Sequence, residues 1–192
     1  MKNVERKKKL ILQSELAFAN AIGATVFEKP KVSFWMILIP ILFLYFVYRM
    51  QRFKNGRLKF DQEFMATRRK ALNLAAEALE TGLNPDIDRV ARESGLTDAL
   101  EKPYASWLRT LVHYYGDLLA AEGGSFEALV HSAYHNRTNY LLVLNRLSTV
   151  EKEFYTVLKP QLAATEGAAA VIATIEEQSR RIRRDLAEKL FA

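Results

Sequence analysis

The apolar segment from Val32 to Tyr48, VSFWMILIPILFLYFVY, is the feature that most limits what this chain can be, because it contains no charged residue. At 1.5 Å per residue, a helix of this length measures about 25 Å, close to the bilayer hydrocarbon thickness of about 30 Å. Aromatic side chains suited to the two membrane interfaces stand near its ends: Phe34, Trp35, Tyr45 and Tyr48. The sequence therefore predicts a membrane anchor at residues 32–50 rather than a buried core helix.

The basic residues around the anchor predict its orientation. The C-terminal side offers five cations, Arg49, Arg52, Lys54, Arg57 and Lys59, and the N-terminal side offers Lys29 and Lys31. By the positive-inside rule, a single-pass anchor then places the C-terminal part of the chain in the cytoplasm. Each cation near anionic lipid headgroups contributes about 1 kcal/mol to membrane binding.

A second topology also fits the sequence. The four cations from Arg6 to Lys9 resist translocation, and Pro40 interrupts the apolar segment at its middle. A re-entrant hairpin broken at Pro40 would keep both of its ends in the cytoplasm. The choice between a spanning helix and a hairpin stays open on the sequence alone, and both leave the large domain cytoplasmic.

Residues 1–31 form a basic leader with a helical pattern. Its apolar positions include Leu12, Leu16, Ala19 and Ile22, which share one side of a helix. We expect such a segment to lie on a membrane surface, and the alternative is a segment that is frayed or becomes ordered on a partner.

The charge distribution argues against nucleic-acid binding. Residues 1–57 hold eleven Lys or Arg against three Glu, whereas residues 58–192 hold seventeen against nineteen Asp or Glu. The excess of Lys and Arg that gives the net charge of +6 therefore lies in the residues around the anchor, and the large domain has no basic surface of the kind that binds nucleic acid. The absence of cysteine excludes disulfides, thiolate metal sites and cysteine nucleophiles.

A linker at residues 51–58 leads into a predicted helical domain at 59–192. The first helix has the stripe Phe60, Phe64, Ala71, Ala75 and Ala78 and stops at Gly82. Asn84-Pro85 predicts the start of a short helix that ends at Gly95. Pro103 predicts the start of a third helix, with the stripe Tyr104, Leu108, Leu111, Tyr115 and Leu118.

Two long helical stretches complete the domain. Apolar residues step by four and three from Val143 to Val157 within a stretch from Phe126 to Leu158. The last stretch has near-heptad spacing, with Ser179 filling a gap among Ile172, Ile175, Ile182, Leu186 and Leu190. This coiled-coil spacing predicts packed helical pairs. The fold class is therefore all-α: a single membrane-anchoring helix followed by an antiparallel helical bundle with a long C-terminal helix.

The polar side of the last helix is rich in charge: Glu176, Glu177, Arg180, Arg181, Arg183, Arg184 and Asp185. Such a run usually forms a solvated surface with i,i+4 pairs. The alternative is an arm for a partner or for self-association, with Arg180 and Arg184 as its candidate contacts.

Histidines give weak candidates for a metal site. His131 and His135 are four residues apart on a predicted helix, and Glu127 lies one turn earlier. A zincin helix needs glutamate directly after its first histidine, but Ser132 stands there. We therefore expect neither a metal nor a cofactor.

The segment from Tyr134 to Tyr140 is unusually polar for the middle of a helix. It predicts either a hydrogen-bonded junction that sets helix register or a docking surface. Its candidate partner-binding residues are His135, Asn136, Arg137, Asn139 and Tyr140.

These features favour a membrane-tethered helical adaptor or accessory subunit, which binds lipid headgroups and a protein partner and is not an enzyme. The first alternative is a metal- or ligand-binding enzyme or sensor that uses the region of His113, His131 and His135 with Arg137 and Tyr140. A second alternative is a membrane-tethered DNA-binding regulator, since Asp88 to Gly95 resembles the start of a helix-turn-helix unit. Glu101 and Pro103 in the would-be recognition helix argue against it.

Overall fold

The computed structural model describes residues 2–26, 64–161 and 168–192. Across these ranges the chain forms seven helices and no strand, which confirms the predicted all-helical bundle. The helices are α1 Lys2–Val26, α2 64–81, α3 Ile87–Arg92, α4 Asp98–Ala120, α5 Phe126–Tyr134, α6 Arg137–Gln161 and α7 Ala168–Leu190.

Helix α4 lies at the centre of the bundle. All five apolar positions of its predicted stripe, from Tyr104 to Leu118, are buried. At one end of the helix, the ring of Trp107 packs on Phe154 of α6 with 5.3 Å between centroids. At the other end, the Tyr114 hydroxyl lies 3.3 Å from that of Tyr140. Helix α6 therefore runs antiparallel to α4.

Helix α7 returns along α6 and packs within the chain. Lys159 Nζ donates to Glu176 Oε2 at 2.9 Å near the start of α7, and Arg137 Nη2 donates to Glu188 Oε1 at 2.9 Å near its end. The side of α7 that carries Ile172 and Ile175 is buried.

Helix α1 packs on α4, α5 and α7. Lys7 Nζ donates to the carbonyl oxygen of Leu119 at 2.8 Å, and the side chains of Ile11 and Ile22 are 0% exposed. The basic leader was expected on a membrane surface or on a partner, yet in the structure its apolar side is covered by the bundle. Residues 2–26 thus belong to the same packed unit as α4 to α7.

Several helix boundaries differ from the predicted ones. The stretch from Phe126 to Leu158 was expected to be one helix, but it breaks after Tyr134, where His135 adopts φ 63°. Helix α4 starts at Asp98, so Pro103 lies within its first turns. The short helix is capped by Asp86 rather than Asn84, since Asp86 Oδ1 accepts from the backbone N–H of Arg89 at 3.0 Å.

The predicted stops after α2 and α3 are confirmed. Gly82 and Gly95 both have φ +72°, a backbone conformation that glycine adopts without a steric penalty.

In the ranges that the structure describes, no helix combines the length and the apolar character needed to cross a bilayer. The predicted anchor and linker, residues 32–58, lie outside those ranges. The same holds for the candidate anchor residues Phe34, Trp35, Pro40, Tyr45, Tyr48, Arg49 and Arg52.

Candidate functional site

Four charged side chains from four helices meet inside the bundle. Arg68 of α2 donates from Nε to Glu15 Oε2 of α1 at 3.0 Å and from Nη2 to Glu151 Oε1 of α6 at 2.9 Å. Arg183 of α7 donates from Nη1 to Glu151 Oε2 at 2.6 Å and from Nη2 to Oε1 at 2.9 Å. We call these residues the buried ion network, and their formal charges cancel.

Both arginines also donate to acceptors outside the network. Arg68 Nη1 donates to the Phe64 carbonyl oxygen at 3.2 Å, and Arg183 Nη1 also donates to Ser148 Oγ at 3.0 Å. The Arg68 guanidinium lies 3.9 Å from the centroid of the Phe64 ring, a favourable cation–π position. Arg68 is 1% exposed, so these contacts replace the water that it loses.

The charges in the network fix one another's protonation states. Burial alone would raise the pKa of the Glu151 carboxyl, but the charges of Arg183 and Arg68 outweigh burial and hold that pKa below its ordinary value. Burial lowers the pKa of Arg183, but the charge and hydrogen bonds of Glu151 together with the charge of Glu15 outweigh burial, so the net pKa is raised. The same balance raises the pKa of Arg68. Both arginines and Glu151 are therefore ionised at neutral pH.

A small cavity adjoins the network. It measures about 30 Å³ and is lined by polar groups of Ser14, Glu15, Tyr114, Tyr140 and Arg183 among apolar side chains. This is space for about one water molecule and is far below the several hundred Å³ of a small-molecule site. The network therefore joins four helices. The cavity beside it is too small for a substrate.

The three histidines have three different sets of neighbours. His131 Nε2 lies 2.7 Å from the carbonyl oxygen of Leu190, and its ring packs on Phe191 with 4.4 Å between centroids. His113 pairs with Asp117 at 3.3 Å on the surface of α4. His135 is exposed at the end of α5, and Glu127 lies 3.9 Å from His131. Within the described part of the chain, no three His, Cys, Asp or Glu residues are grouped as a metal site requires.

The polar segment after Tyr134 builds the junction between α5 and α6. Asn136 Oδ1 accepts from the backbone N–H of Asn139 at 2.9 Å, and Asn139 Nδ2 donates to the Tyr134 carbonyl oxygen at 3.0 Å. Arg137 reaches Glu188 of α7, and Tyr140 is 0% exposed. The side chain of Tyr140 is thus not available to a partner in this conformation. His135, Asn136, Arg137 and Asn139 are exposed, as are Arg180 and Arg184 on α7.

The helix-turn-helix resemblance has a limited structural counterpart. Helix α3 is followed by a turn and by α4, as such a unit requires. However, Leu100, Tyr104 and Leu108 on the second helix are buried in the core. A recognition helix must instead present its side chains to the major groove.

Two open grooves border the exposed side of α4. The α2–α4 groove, about 550 Å³, is lined by Ala75, Ala78, Leu79, Ile87, Val112, Gly116 and others. The α4–α6 groove, about 680 Å³, is lined by Ala120, Ala121, Glu122, Ala133, Asn139, Leu142 and others. Both grooves reach Asp117, so they form one surface, which we call the α4 face.

The α4 face exposes large apolar side chains. Leu142 is 63% exposed in the α4–α6 groove, and Leu79 is 44% exposed in the α2–α4 groove. Leu83, which is 72% exposed, directly precedes Asn84 of the α2–α4 groove. Of the candidate partner-binding residues, Asn139 lies on this face.

Sequence reasoning missed the buried ion network, although a signal for it exists. Glu151 is four residues after Leu147 and three before Phe154, so it lies on the buried stripe of α6. Arg68 likewise stands between Phe64 and Ala71. Arg183 was assigned to the solvated side of α7, which is wrong, because it is 6% exposed. Charges of both signs at inward positions of separate helices are the pattern that indicates a buried network.

Comparison of the chain with protein-family models, with curated proteins and with solved structures finds no match.

Proposed function

We propose that this protein is a membrane-tethered helical adaptor or accessory subunit that holds a protein partner at the cytoplasmic face of a membrane. The tether is the uncharged segment from Val32 to Tyr48, with basic residues on both sides. The observation that carries the adaptor role is the α4 face, on which exposed leucines stand beside open grooves.

The chemistry of the α4–α6 groove indicates what the partner presents. It is lined by alanines, Leu142 and Val143 together with the acidic residues Asp117 and Glu122. No Lys or Arg occurs among the described residues that line it. An amphipathic helix with large apolar side chains and a nearby Lys or Arg complements this groove in both shape and charge.

The α2–α4 groove extends the same surface. At its edge Arg109 Nη2 donates to Asp88 Oδ1 at 2.8 Å, and His113 Nδ1 lies 3.3 Å from Asp117 Oδ2. Polar side chains beside apolar ones resemble the general anatomy of protein interfaces, in which a polar rim surrounds an apolar centre. No corresponding observation favours an enzyme or sensor role for the histidine region.

Affinity purification of the full-length tagged chain in mild detergent, followed by quantitative mass spectrometry, tests the proposal. We expect a stoichiometric protein partner that is lost with Leu79→Asp and with Leu142→Asp. Ala17→Asp is the control, because Ala17 is an exposed apolar residue of α1 and lines neither groove of the α4 face. Recovery of the chain alone, or equal retention by all three variants, contradicts the proposal.

A further inference from the structure

The two flanks of the apolar segment belong to one packed unit. Residues 2–26 precede the segment and residues 64–192 follow it, yet α1 is built into the bundle of the later helices. We infer that both flanks lie on the same face of the membrane, so that the segment from Val32 to Tyr48 enters and leaves the bilayer through one face. This inference rests on the proposed membrane tether and decides its topology.

Specific contacts hold the flanks together. Glu15 of α1 pairs with Arg68 of α2 at 3.0 Å, and the rings of Phe18 and Phe64 are 6.0 Å apart between centroids. Lys7 at the other end of α1 donates to Leu119 at 2.8 Å and is itself buried. A single-pass anchor would place α1 on the opposite side of a hydrocarbon layer about 30 Å thick. It would thereby break all three contacts, leave Arg68 without one of its carboxylates and expose Ile11 and Ile22.

The sequence after the apolar segment argues against a second crossing that would bring the chain back. Between Tyr48 and Phe64 stand five cations, Arg49, Arg52, Lys54, Arg57 and Lys59. Charged side chains are the residues that a bilayer centre accepts least readily. A full crossing followed by a return through this stretch is therefore disfavoured.

Proline at the middle of the segment suits a shallow turn. Pro40 has eight uncharged residues on each side, 32–39 and 41–48. In helical form, eight residues extend about 12 Å, which is less than half of a hydrocarbon layer of about 30 Å. The segment is thus long enough to enter one leaflet and turn back there.

The same packing indicates which end of the bundle faces the lipid. Val26 lies eight residues beyond Phe18, about 12 Å further along α1, at the end of the bundle away from α5. The start of α7 lies at this end and exposes Ala169, Ala170 and Val171. By contrast, Asp117 and Leu142 of the α4 face lie toward the α5 end. This arrangement places the α4–α6 groove at the end of the bundle away from the bilayer.

Cysteine labelling of the full-length chain tests the topology, because the natural sequence has no cysteine. Two single variants are used, Asn3→Cys on α1 and Glu177→Cys on α7, both at exposed positions. The protein is inserted co-translationally into sealed, uniformly oriented membrane vesicles. One portion is sedimented after an alkaline wash to test membrane insertion, and a second, unwashed portion is treated with a membrane-impermeant maleimide before and after detergent. An enclosed reporter protein checks that the vesicles are sealed.

The outcomes separate the inference from the proposed function. Cosedimentation of both variants with equal accessibility of the two cysteines supports a same-face topology. Cosedimentation with one cysteine accessible and the other protected until detergent is added overturns the inference but leaves the tether standing. Failure of the chain to cosediment overturns the tether, and the inference with it.

Discussion

Arg183 and Glu151 form a bidentate pair across the interface of α6 and α7, with N–O distances of 2.6 and 2.9 Å. The Glu151 side chain is 4% exposed, and it also accepts from Arg68 of α2. One carboxylate thus joins three helices and accepts hydrogen bonds from two buried guanidinium groups, while Glu15 supplies the second negative charge of the network. Its geometry is of the kind in which charge-assisted hydrogen bonds are strong and directional.

Replacing Glu151 by glutamine tests how much this carboxylate contributes to the free energy of unfolding. Glu151→Gln keeps the side-chain shape but leaves Arg68 and Arg183 with insufficient negative charge. We expect the free energy of unfolding to fall by about 3–5 kcal/mol, the usual result of breaking one partner from a buried ion pair. Denaturant unfolding of the full chain in detergent, followed by circular dichroism, measures it.

The control for this prediction lies two residues away on the same helix. Glu153 is exposed, so we expect Glu153→Gln to change the free energy of unfolding by less than about 0.5 kcal/mol. Equal effects of the two substitutions would show that the buried location of Glu151 does not matter.

Local pattern and turn chemistry made much of the fold predictable. The stripe of α4 steps by four and three, and all its members are buried. Gly82 and Gly95 were recognised as stops because a left-handed residue at a helix end is usually glycine. The break at His135 was missed for the same reason, since a histidine at φ 63° carries no such signal.

Contacts between distant parts of the chain were not predictable. Lys7 and Leu119 are 112 residues apart, and the local sequence around either residue does not indicate that they are in contact. The ion network is buried because four helices pack around it, whereas sequence periodicity describes one helix at a time. Of the predicted partner-binding residues, Asn139 lies on the α4 face. The exposed leucines of this face could not be recognised from the sequence, because their exposure depends on how the helices pack.

High pH is expected to destabilise the protein through its buried tyrosines. Burial raises the pKa of Tyr140 to about 12, and burial also raises the pKa values of Tyr114, Tyr115, Tyr134 and Tyr155. In the unfolded chain tyrosine ionises near pH 10, so above that pH the unfolded state binds fewer protons than the folded state. The free energy of unfolding then falls as pH rises, by about 1.4 kcal/mol per pH unit for each such tyrosine. For Tyr140 the fall ends near pH 12, where the folded form also ionises.

A spectrophotometric titration of tyrosinate, together with unfolding curves at several alkaline pH values, measures this effect. Tyr140→Phe keeps the ring and removes one ionisable group, so it should lessen the loss of stability between pH 10 and about 12. Ionisation of all eight tyrosines near pH 10 while the protein is still folded contradicts the prediction.

Two glycine substitutions should change stability in opposite directions. Gly82 has φ +72°, so Gly82→Ala forces a left-handed backbone on alanine and should lower the free energy of unfolding by about 1 kcal/mol. Gly116 lies within α4, where Gly116→Ala should raise the free energy of unfolding by up to about 1 kcal/mol. A Cβ at either position meets no atom within 4 Å, so packing does not confuse the comparison. Thermal unfolding of both variants checks the signs, and a shift in the same direction for both contradicts the argument.

The end of α7 depends on contacts made just beyond it. The Phe191 ring packs on His131 at 4.4 Å and on Tyr140 at 6.0 Å between centroids, and His131 Nε2 meets the Leu190 carbonyl oxygen at 2.7 Å. Phe191→Ala removes both ring contacts, each aromatic pair being worth about 1 kcal/mol, and should let the last turn of α7 open more often. Hydrogen exchange should therefore accelerate at the amides of the last turn, including that of residue 191, whose N–H donates to the Ala187 carbonyl oxygen at 3.3 Å.

Val171→Ala, at the other end of the same helix, should leave those amides unchanged because Val171 is exposed and distant from them. Unaltered exchange in Phe191→Ala would mean that the backbone of α7 holds its last turn without these rings.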